Sequence, residues 1–350
     1  VQDDIVFTQR GPVGHVLLNR PKALNALTLD MAIRLREQLL VWRDDASILA
    51  VVVQGEGGKG FCAGGDIRWL HDTGKKDPFE AGEFYREEYQ TDAVIYHYPK
   101  PYIAFIDGIV MGGGVGISVH GSHRVAGDRT LFAMPETGIG LFPDVGGSYF
   151  LPRMPGQIGF FLGLTGARLK AAGCMYSGVA THYIPSDQHE AAIEALCADV
   201  TSADDVSAIL SQFTGHTGKG NLARIRKDVD RIFCGADVRS ILTALDQESG
   251  SEWAAKQAAI LRTKSPTALR VTYQQLTRGR DMSFDEVMKM EFRLAVRVME
   301  GHDFYEGVRA TILEKGAVPA WSPGRIEDVS DEMVEAYFAD LGERELTLTY

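Results

Sequence analysis

The chain has 350 residues, 45% of them apolar and 24% charged, a balance that supports a substantial folded core in one domain or two and excludes a disordered chain. Its formal charge of -11 repels nucleic acid and anionic lipid, so neither nucleic acid nor membrane is expected as a partner. Cys62, Cys174, Cys197 and Cys234 form no CxxC pair, which points to reduced thiols in the cytoplasm rather than to a disulfide scaffold or a bound metal.

The opening residues, VQDDIVFTQRGPVGHVLLNR, carry acids and alternation where a signal or transit peptide would carry basic and apolar or amphipathic runs. The alternation in Ile5–Phe7 and in Val13 and His15–Leu18, on either side of Gly11-Pro12, predicts a hairpin. Asn19-Arg20-Pro21 ends it, and Met31, Leu35, Leu39 and Trp42 fall at helical spacing from Thr28 onward. ILAVVVQG is a continuous run rich in β-branched residues, as expected of a strand buried on both faces in a parallel sheet. A helix follows over 78–96, then a strand at YIAFIDG and shorter ones at RVAGD and LFAMPE. The longest apolar run, YIAFIDGIVMGGGVGISV, is interrupted by Asp107 and by glycines, and reads as strand, turn and helix start rather than as a membrane span.

Beyond Pro155 the texture turns helical, from GQIGFFLGLTG to SFDEVMKMEFRLAVRVME, and after Ala317 an exposed tail is expected to end in an acidic helix near 329–338. The reading is therefore an α/β core over residues 1–200 followed by a helical region over 201–350.

Three stretches could carry chemistry. KGFCAGGDIRWL places small residues directly after a buried strand, where backbone can approach a ligand and its N–H groups can face an anion; a plain tight turn accounts for the same residues. DGIVMGGGVGISVHG puts Gly112, Gly113 and Gly114 straight after a strand, for close helix packing or to aim an N–H at a developing negative oxygen. One donor from each loop would make an oxyanion hole. In MPETGIGLFPDVGGSYFLPR, Glu136 and Asp144 stand among apolar residues, glycines and prolines, surroundings that raise carboxyl pKa values and suit acid or base work, although helix capping or pairing with Arg153 would also explain them. His15, His120 and His123 lack a third ligand at metal spacing; Ser118 and Ser148 lack a GxSxG elbow; Cys62 reads as a small hydrophobe, and Glu87 and Glu88 as part of a solvated helix face.

Taken together, these blocks resemble the crotonase (enoyl-CoA hydratase/isomerase) superfamily. FCAGGDI resembles its first oxyanion loop, which places one N–H on Gly65 and puts Ala63, Asp66 and Ile67 against substrate. MGGGVGIS resembles the second, with its N–H on Gly113. RPKALNAL resembles the loop that contacts the CoA nucleotide, at Lys22, Ala23 and Leu24. One departure stands out: where hydratases of the family carry a catalytic glutamate after the glycine cluster, this chain has Gly116. Their other glutamate matches Glu136. The stretch from EEYQTDAVIYHYPKP to FAMPETGIGLFPDVGGSYFLPR, with SPTALRVT, MEFRLAVR and HDFYEGVRA, resembles the 3-hydroxyisobutyryl-CoA hydrolase branch, whose acids match Glu136 and Asp144 and whose pocket residue matches Glu88.

The resemblance implies a spiral of ββα units followed by helices that complete an acyl-CoA site. It also implies hydrolysis of a short 3-hydroxyacyl-CoA, with enoyl-CoA hydration or isomerisation and noncatalytic acyl-CoA binding as alternatives. CoA would enter as part of the substrate, with no separate cofactor. Arg20, Lys22 and Arg68 are candidates for its phosphates, Phe304 and Lys315 for closing over it, and a homo-oligomer, trimer or hexamer, follows by analogy.

Overall fold

The computed structural model describes residues 3–350. Its strands are β1 (Ile5–Arg10), β2 (Val13–Leu18), β3 (Ala50–Gly55), β4 (Gly60–Cys62), β5 (Tyr102–Phe105), β6 (Ile109–Met111), β7 (His123–Ala126), β8 (Leu131–Ala133), β9 (Leu169–Lys170) and β10 (His182–Tyr183). β1 and β2 form the expected antiparallel hairpin, and the larger sheet continues in parallel in the order β1-β2-β3-β5-β7-β10. Ala50 to Val53 of β3 are fully buried, as a continuous apolar strand covered on both faces must be. The smaller sheet has the order β4-β6-β8-β9.

Each of β3, β5 and β7 is followed directly by β4, β6 or β8, so the chain steps from the larger sheet to the smaller and back: the ββα spiral. Helices α1 (Leu29–Asp44), α2 (Ile67–Gly74), α3 (Pro78–Tyr96) and α4 (Gly113–Val119) make the turns of the spiral. Both α2 and α3 follow β4, whereas only the short α4 follows β6, and this inequality hides the repeat from sequence inspection. Then come α5 (Gly147–Phe150), α6 (Ile158–Thr165), α7 (Ala171–Ser177), α8 (His189–Asp199), α9 (Asp205–Ser211), α10 (Gly220–Ile232), α11 (Val238–Gln247), α12 (Glu252–Thr263), α13 (Pro266–Gly279), α14 (Phe284–Glu300), α15 (Asp303–Val308) and α16 (Asp331–Phe338).

The element that positions the site is α3. Asp77 caps it by accepting from Phe79 N at 2.9 Å, and Pro78 opens it, where a missing N–H costs nothing. α1, α2 and α14 all pack on it, so residues 88 to 95 are buried without interruption. The expectation of a solvated face at Glu87 and Glu88 is therefore wrong: Glu87 pairs with Arg36 of α1, and Glu88 is 2% exposed. Charge density along one strip of sequence cannot tell a surface helix from one enclosed by three others.

The tail also departs from its expectation. Val329, Val334, Phe338, Leu341 and Leu346 are buried and join the principal apolar cluster, which runs from Ile5 to Leu346 through both the spiral and the later helices. The Gln90 side chain donates to Thr347 O and accepts from Thr349 N at 3.0 Å, while Tyr350 stacks on His97 with ring centroids 3.9 Å apart. A smaller cluster, including Val52, Phe105, Ile193 and Leu210, fills the far side of the larger sheet beneath α8 and α9.

Candidate active site

A cavity of about 500 Å³ opens where the two glycine loops meet α3 and the chain after β8. The first loop, after β4, is held by residues 24–27: Ala63 N donates to Leu24 O at 3.0 Å, Leu27 N to Gly64 O at 2.8 Å, and Asp66 N to Leu27 O at 2.8 Å. The second follows β6, with Gly112 at φ 47°, a backbone region that favours glycine. Gly113 then opens α4, so its N–H has no acceptor within that helix.

Side chains are excluded here by proximity. A Cβ on Gly114 would overlap Cys62 O, and one on Gly113 would overlap Glu88 Oε1 while lying 3.3 Å from Gly65 N. The triple glycine thus meets both requirements left open by the sequence, tight packing of α4 on β4 and the meeting of two N–H-bearing loops.

Opposite the loops stand buried acids. Glu136 opens a short 3-10 turn after β8 and is 4% exposed, as is Asp144. Burial raises the Glu136 carboxyl well above its ordinary range, and the Asp144 charge raises it further. Lys264, half-buried at the end of α12, opposes that rise, and its own amine is lowered by burial. Asp144 is pushed up to about 7 by burial; Tyr89, whose hydroxyl donates to Asp144 Oδ2 at 3.1 Å, pulls it back down. Glu88 is raised by burial and then by Asp144, Asp92 and Glu136; Asp92 by burial and then by Asp144 and Glu291. So many neighbouring carboxyls cannot all ionise at neutral pH, and the group holds protons that ordinary acids would have lost.

The Asp144 turn is pinned by side chains from distant elements. Gln275 of α13 donates to Pro143 O at 2.6 Å and His120 Nε2 to Val145 O at 2.7 Å. Glu291 of α14 accepts from Gly146 N at 2.8 Å and Ser148 N at 2.7 Å. Val145 itself sits at φ 51°, a strained position for a β-branched residue that these contacts hold in place.

Of the residues singled out in the sequence, Gly65, Gly113, Glu136, Asp144, Glu88, Ala63 and Ile67 line this one cavity. Lys22, Ala23 and Leu24 lie beside it in a turn that abuts Ala63, and Lys22 is exposed. Asp66 caps α2 through Trp69 N at 3.2 Å and pairs with Arg20 at 3.3 Å. Arg153 is engaged by the carbonyls of Tyr149, Gly279 and Met282 instead of by either acid. Phe304 is buried in the core and does not line the cavity, nor does Lys315; Thr311, Ile312 and Pro319 take that wall. Cys62 is inert, its thiol pushed up to about 12 by burial.

Gly116 now has a physical explanation. A Cβ there would fall 2.7 Å from both Asp92 Oδ1 and Val145 Cβ, so the space a glutamate would need is already filled. Tyr85, Tyr89, Asp92, Lys264 and Glu291 escaped the sequence reading. For Tyr85 and Tyr89 the i, i+3, i+4, i+7 spacing with Glu88 and Asp92 was a usable signal; nothing local marks Lys264 or Glu291. Among the described residues no helix is long and apolar enough to cross a membrane, and no group of three or more His, Cys, Asp or Glu is placed to hold a metal ion.

Fold and cavity define an enzyme whose site is enclosed by a spiral of ββα units. The family model for enoyl-CoA hydratase/isomerase matches residues 13–338. The mitochondrial 3-hydroxyisobutyryl-CoA hydrolase of Danio rerio is 46% identical over 99% of this chain and 92% of its own, and that of Homo sapiens 41% identical over 98% and 90%. Among solved structures, a carnitinyl-CoA dehydratase from Mycobacterium thermoresistibile superposes with a TM-score of 0.94 at 39% identity, covering 99% of each chain. An enoyl-CoA hydratase from Rhodobacter sphaeroides does so with 0.92 at 36% identity, covering 99% of this chain and all of its own. The chain belongs to the enoyl-CoA hydratase/isomerase family, the crotonase superfamily. The cytoplasmic expectation is overturned, since these hydrolases are mitochondrial. Unpaired cysteines argue against an oxidising compartment without choosing among reducing ones.

Proposed function

We propose that this enzyme hydrolyses a short 3-hydroxyacyl-CoA thioester, 3-hydroxyisobutyryl-CoA, to the free acid and CoA. The observation that carries the reading is the pairing of buried Glu136 and Asp144 in a cavity shared with Gly65 and Gly113, while the hydratase glutamate position is Gly116 with its space already taken. The relatives named as hydrolases support the same activity.

In this mechanism the thioester oxygen sits between the N–H groups of Gly65 and Gly113, which stabilise its negative charge more strongly in the transition state than in the ground state. The acid pair works singly ionised: its first proton leaves near the Asp144 value of about 7. A proton shift from Glu136 to Asp144 moves the single charge onto Glu136, on the side of Lys264, which opposes the rise of its carboxyl; Glu136 then removes a proton from water as the water oxygen bonds to the carbonyl carbon, and Asp144 orients that water. Collapse of the tetrahedral intermediate breaks the C–S bond and releases CoA thiolate, a good leaving group that needs no strong acid. Direct attack by Glu136 is the competing route, and a single turnover in ¹⁸O-water distinguishes it by labelling the Glu136 carboxylate.

Ala63, Asp66 and Ile67 bound the acyl-to-pantetheine passage in this reading, with Lys22, Ala23, Leu24 and Arg68 toward the CoA nucleotide. CoA is substrate rather than resident cofactor. The division into a spiral over 1–200 and helices over 201–350 that complete the site belongs to the same proposal, as does assembly into a trimer or hexamer, which sedimentation would measure.

The solved structures named as a dehydratase and a hydratase favour a second reading, reversible water addition to an enoyl-CoA. A thiol reagent decides between the two. Rapid CoA release from 3-hydroxyisobutyryl-CoA and 3-hydroxypropionyl-CoA, slow release from acetyl-CoA and crotonyl-CoA, and loss of release in Glu136→Gln are expected. Hydration of crotonyl-CoA with no CoA release from any of the four would establish the second reading instead.

A further inference from the structure

The inner face of α3 presents Tyr85, Glu88, Tyr89 and Asp92 at i, i+3, i+4 and i+7. Their polar atoms are not equivalent. The Tyr89 hydroxyl is committed to Asp144 at 3.1 Å. The Tyr85 hydroxyl and Glu88 Oε1 are buried, have no hydrogen-bond partner in the protein, and belong to residues that line the cavity. A buried hydroxyl without a partner is a cost that native folds rarely carry, and inside a reactive cavity it implies that the missing partner arrives with the substrate.

Tyr85 has no freedom to find a partner elsewhere. Its ring is fixed edge-on by Phe84 at 5.8 Å and Tyr89 at 5.9 Å. The nearby Tyr305 hydroxyl is already spent on Met299 O at 2.6 Å. Burial, with the charges of Asp144 and Glu88 behind it, keeps the phenol protonated and therefore a donor. Glu88, for its part, lies against Gly113: a Cβ there would overlap Glu88 Oε1 and lie 3.3 Å from Gly65 N. Glu88 thus adjoins the spot where the thioester oxygen is held, and Tyr85 stands one turn of α3 away.

A hydroxyl on the acyl β-carbon is three bonds from the carbonyl carbon, and it both accepts and donates. Resting on the hydrolase reading above, we propose that Tyr85 donates a hydrogen bond to the substrate 3-hydroxyl oxygen while Glu88 accepts a hydrogen bond from that hydroxyl, so that Tyr85 is a specificity-determining residue for 3-hydroxyacyl over deoxyacyl thioesters. Glu88 serves in either protonation state, since a neutral carboxyl retains an accepting carbonyl oxygen.

The test is Tyr85→Phe, which keeps the ring and removes one oxygen. CoA release from 3-hydroxyisobutyryl-CoA and from isobutyryl-CoA gives the ratio of the two kcat/KM values for native and variant. The ratio is expected to fall about tenfold or more, because a site built to bond a substrate hydroxyl discriminates by leaving its own polar groups unpaired when that hydroxyl is absent. The thermal midpoint should hold or rise, since no internal hydrogen bond is lost; a clear drop would mean that the hydroxyl has a structural partner and would overturn the proposal. An unaltered ratio, or an equal loss on both substrates, overturns it too. Equilibrium binding of the same two thioesters to Glu136→Gln and to Glu136→Gln/Tyr85→Phe reads the contact without turnover. Failure of the hydrolase reading, seen as absent CoA release by the native enzyme, is thereby separated from failure of the Tyr85 contact, seen as an affinity ratio that Tyr85→Phe leaves unmoved.

Discussion

The two walls of the cavity are made differently. One consists of backbone: the loops at 63–65 and 112–113, whose N–H groups carry no titratable charge and whose close approach depends on the absence of Cβ atoms at Gly113 and Gly114. The other consists of side chains from α3, the 3-10 turn at Glu136, the Asp144 turn and, behind them, α14, and its properties come from burial. The backbone wall should therefore respond to shape and hardly to pH, and the acid wall to pH and charge. In the proposed mechanism they divide the labour of thioester cleavage, the first holding the oxygen that becomes negative and the second managing protons.

Substitutions that start from one wall or the other test this division. Glu136→Gln is nearly isosteric and removes the charge, so kcat for CoA release should fall by roughly 10³-fold with the fold intact. Gly113→Ala keeps every acid but drives a methyl into Glu88 Oε1; a loss of about 10²-fold, of similar size from pH 6 to pH 9, is expected from a misplaced oxyanion donor. A loss that disappeared at one end of that range would show that the two walls are not separable.

Smaller effects follow from the environment of the acids. Activity of the native enzyme should climb with pH until the pair loses its first proton near 7. Tyr89→Phe removes the hydroxyl that lowers the Asp144 carboxyl, so this limb should move to higher pH, costing severalfold at pH 6 and little at pH 8. Asp92→Asn should alter activity least and stability in a pH-dependent way. Asp92 has a folded-state pKa raised above an unfolded value of about 3.9, so its contribution favours folding below that value and is lost as pH rises toward the folded-state pKa. Asparagine cannot ionise, and the variant's gain in thermal midpoint over the native protein should therefore grow from pH 5 to pH 8.

The same division governed what the sequence made legible. Clustered glycines after strands are unusual enough to mark the backbone wall directly, and the apolar, Gly- and Pro-rich setting of Glu136 and Asp144 marked two of the acids that face it. Glu88 looked like surface because EFYREEYQ is rich in charge, whereas α1, α2 and α14 enclose its helix. Asp92 and Glu291 are ordinary residues in ordinary helices, and Lys264 lies in the short link between α12 and α13; only the tertiary fold brings them to one place, and no short window of sequence contains that information. The spiral was hidden for a related reason, since its units share a path in space but not a length.

The packing of α3 also sets an order in time. Its inner face supplies Tyr85, Glu88, Tyr89 and Asp92, yet its outer surface is closed by α14 and by the contacts of Gln90 with residues 347 and 349. During synthesis α3 emerges long before those covers exist, so it must wait, partly uncovered, until residues about 200 to 260 positions later arrive. The nascent protein cannot hold the acids of α3 out of water, and so cannot raise their proton affinity, until α14 and residues 347–349 have emerged. Catalytic competence in this molecule waits on segments made long after the helix that carries the acids.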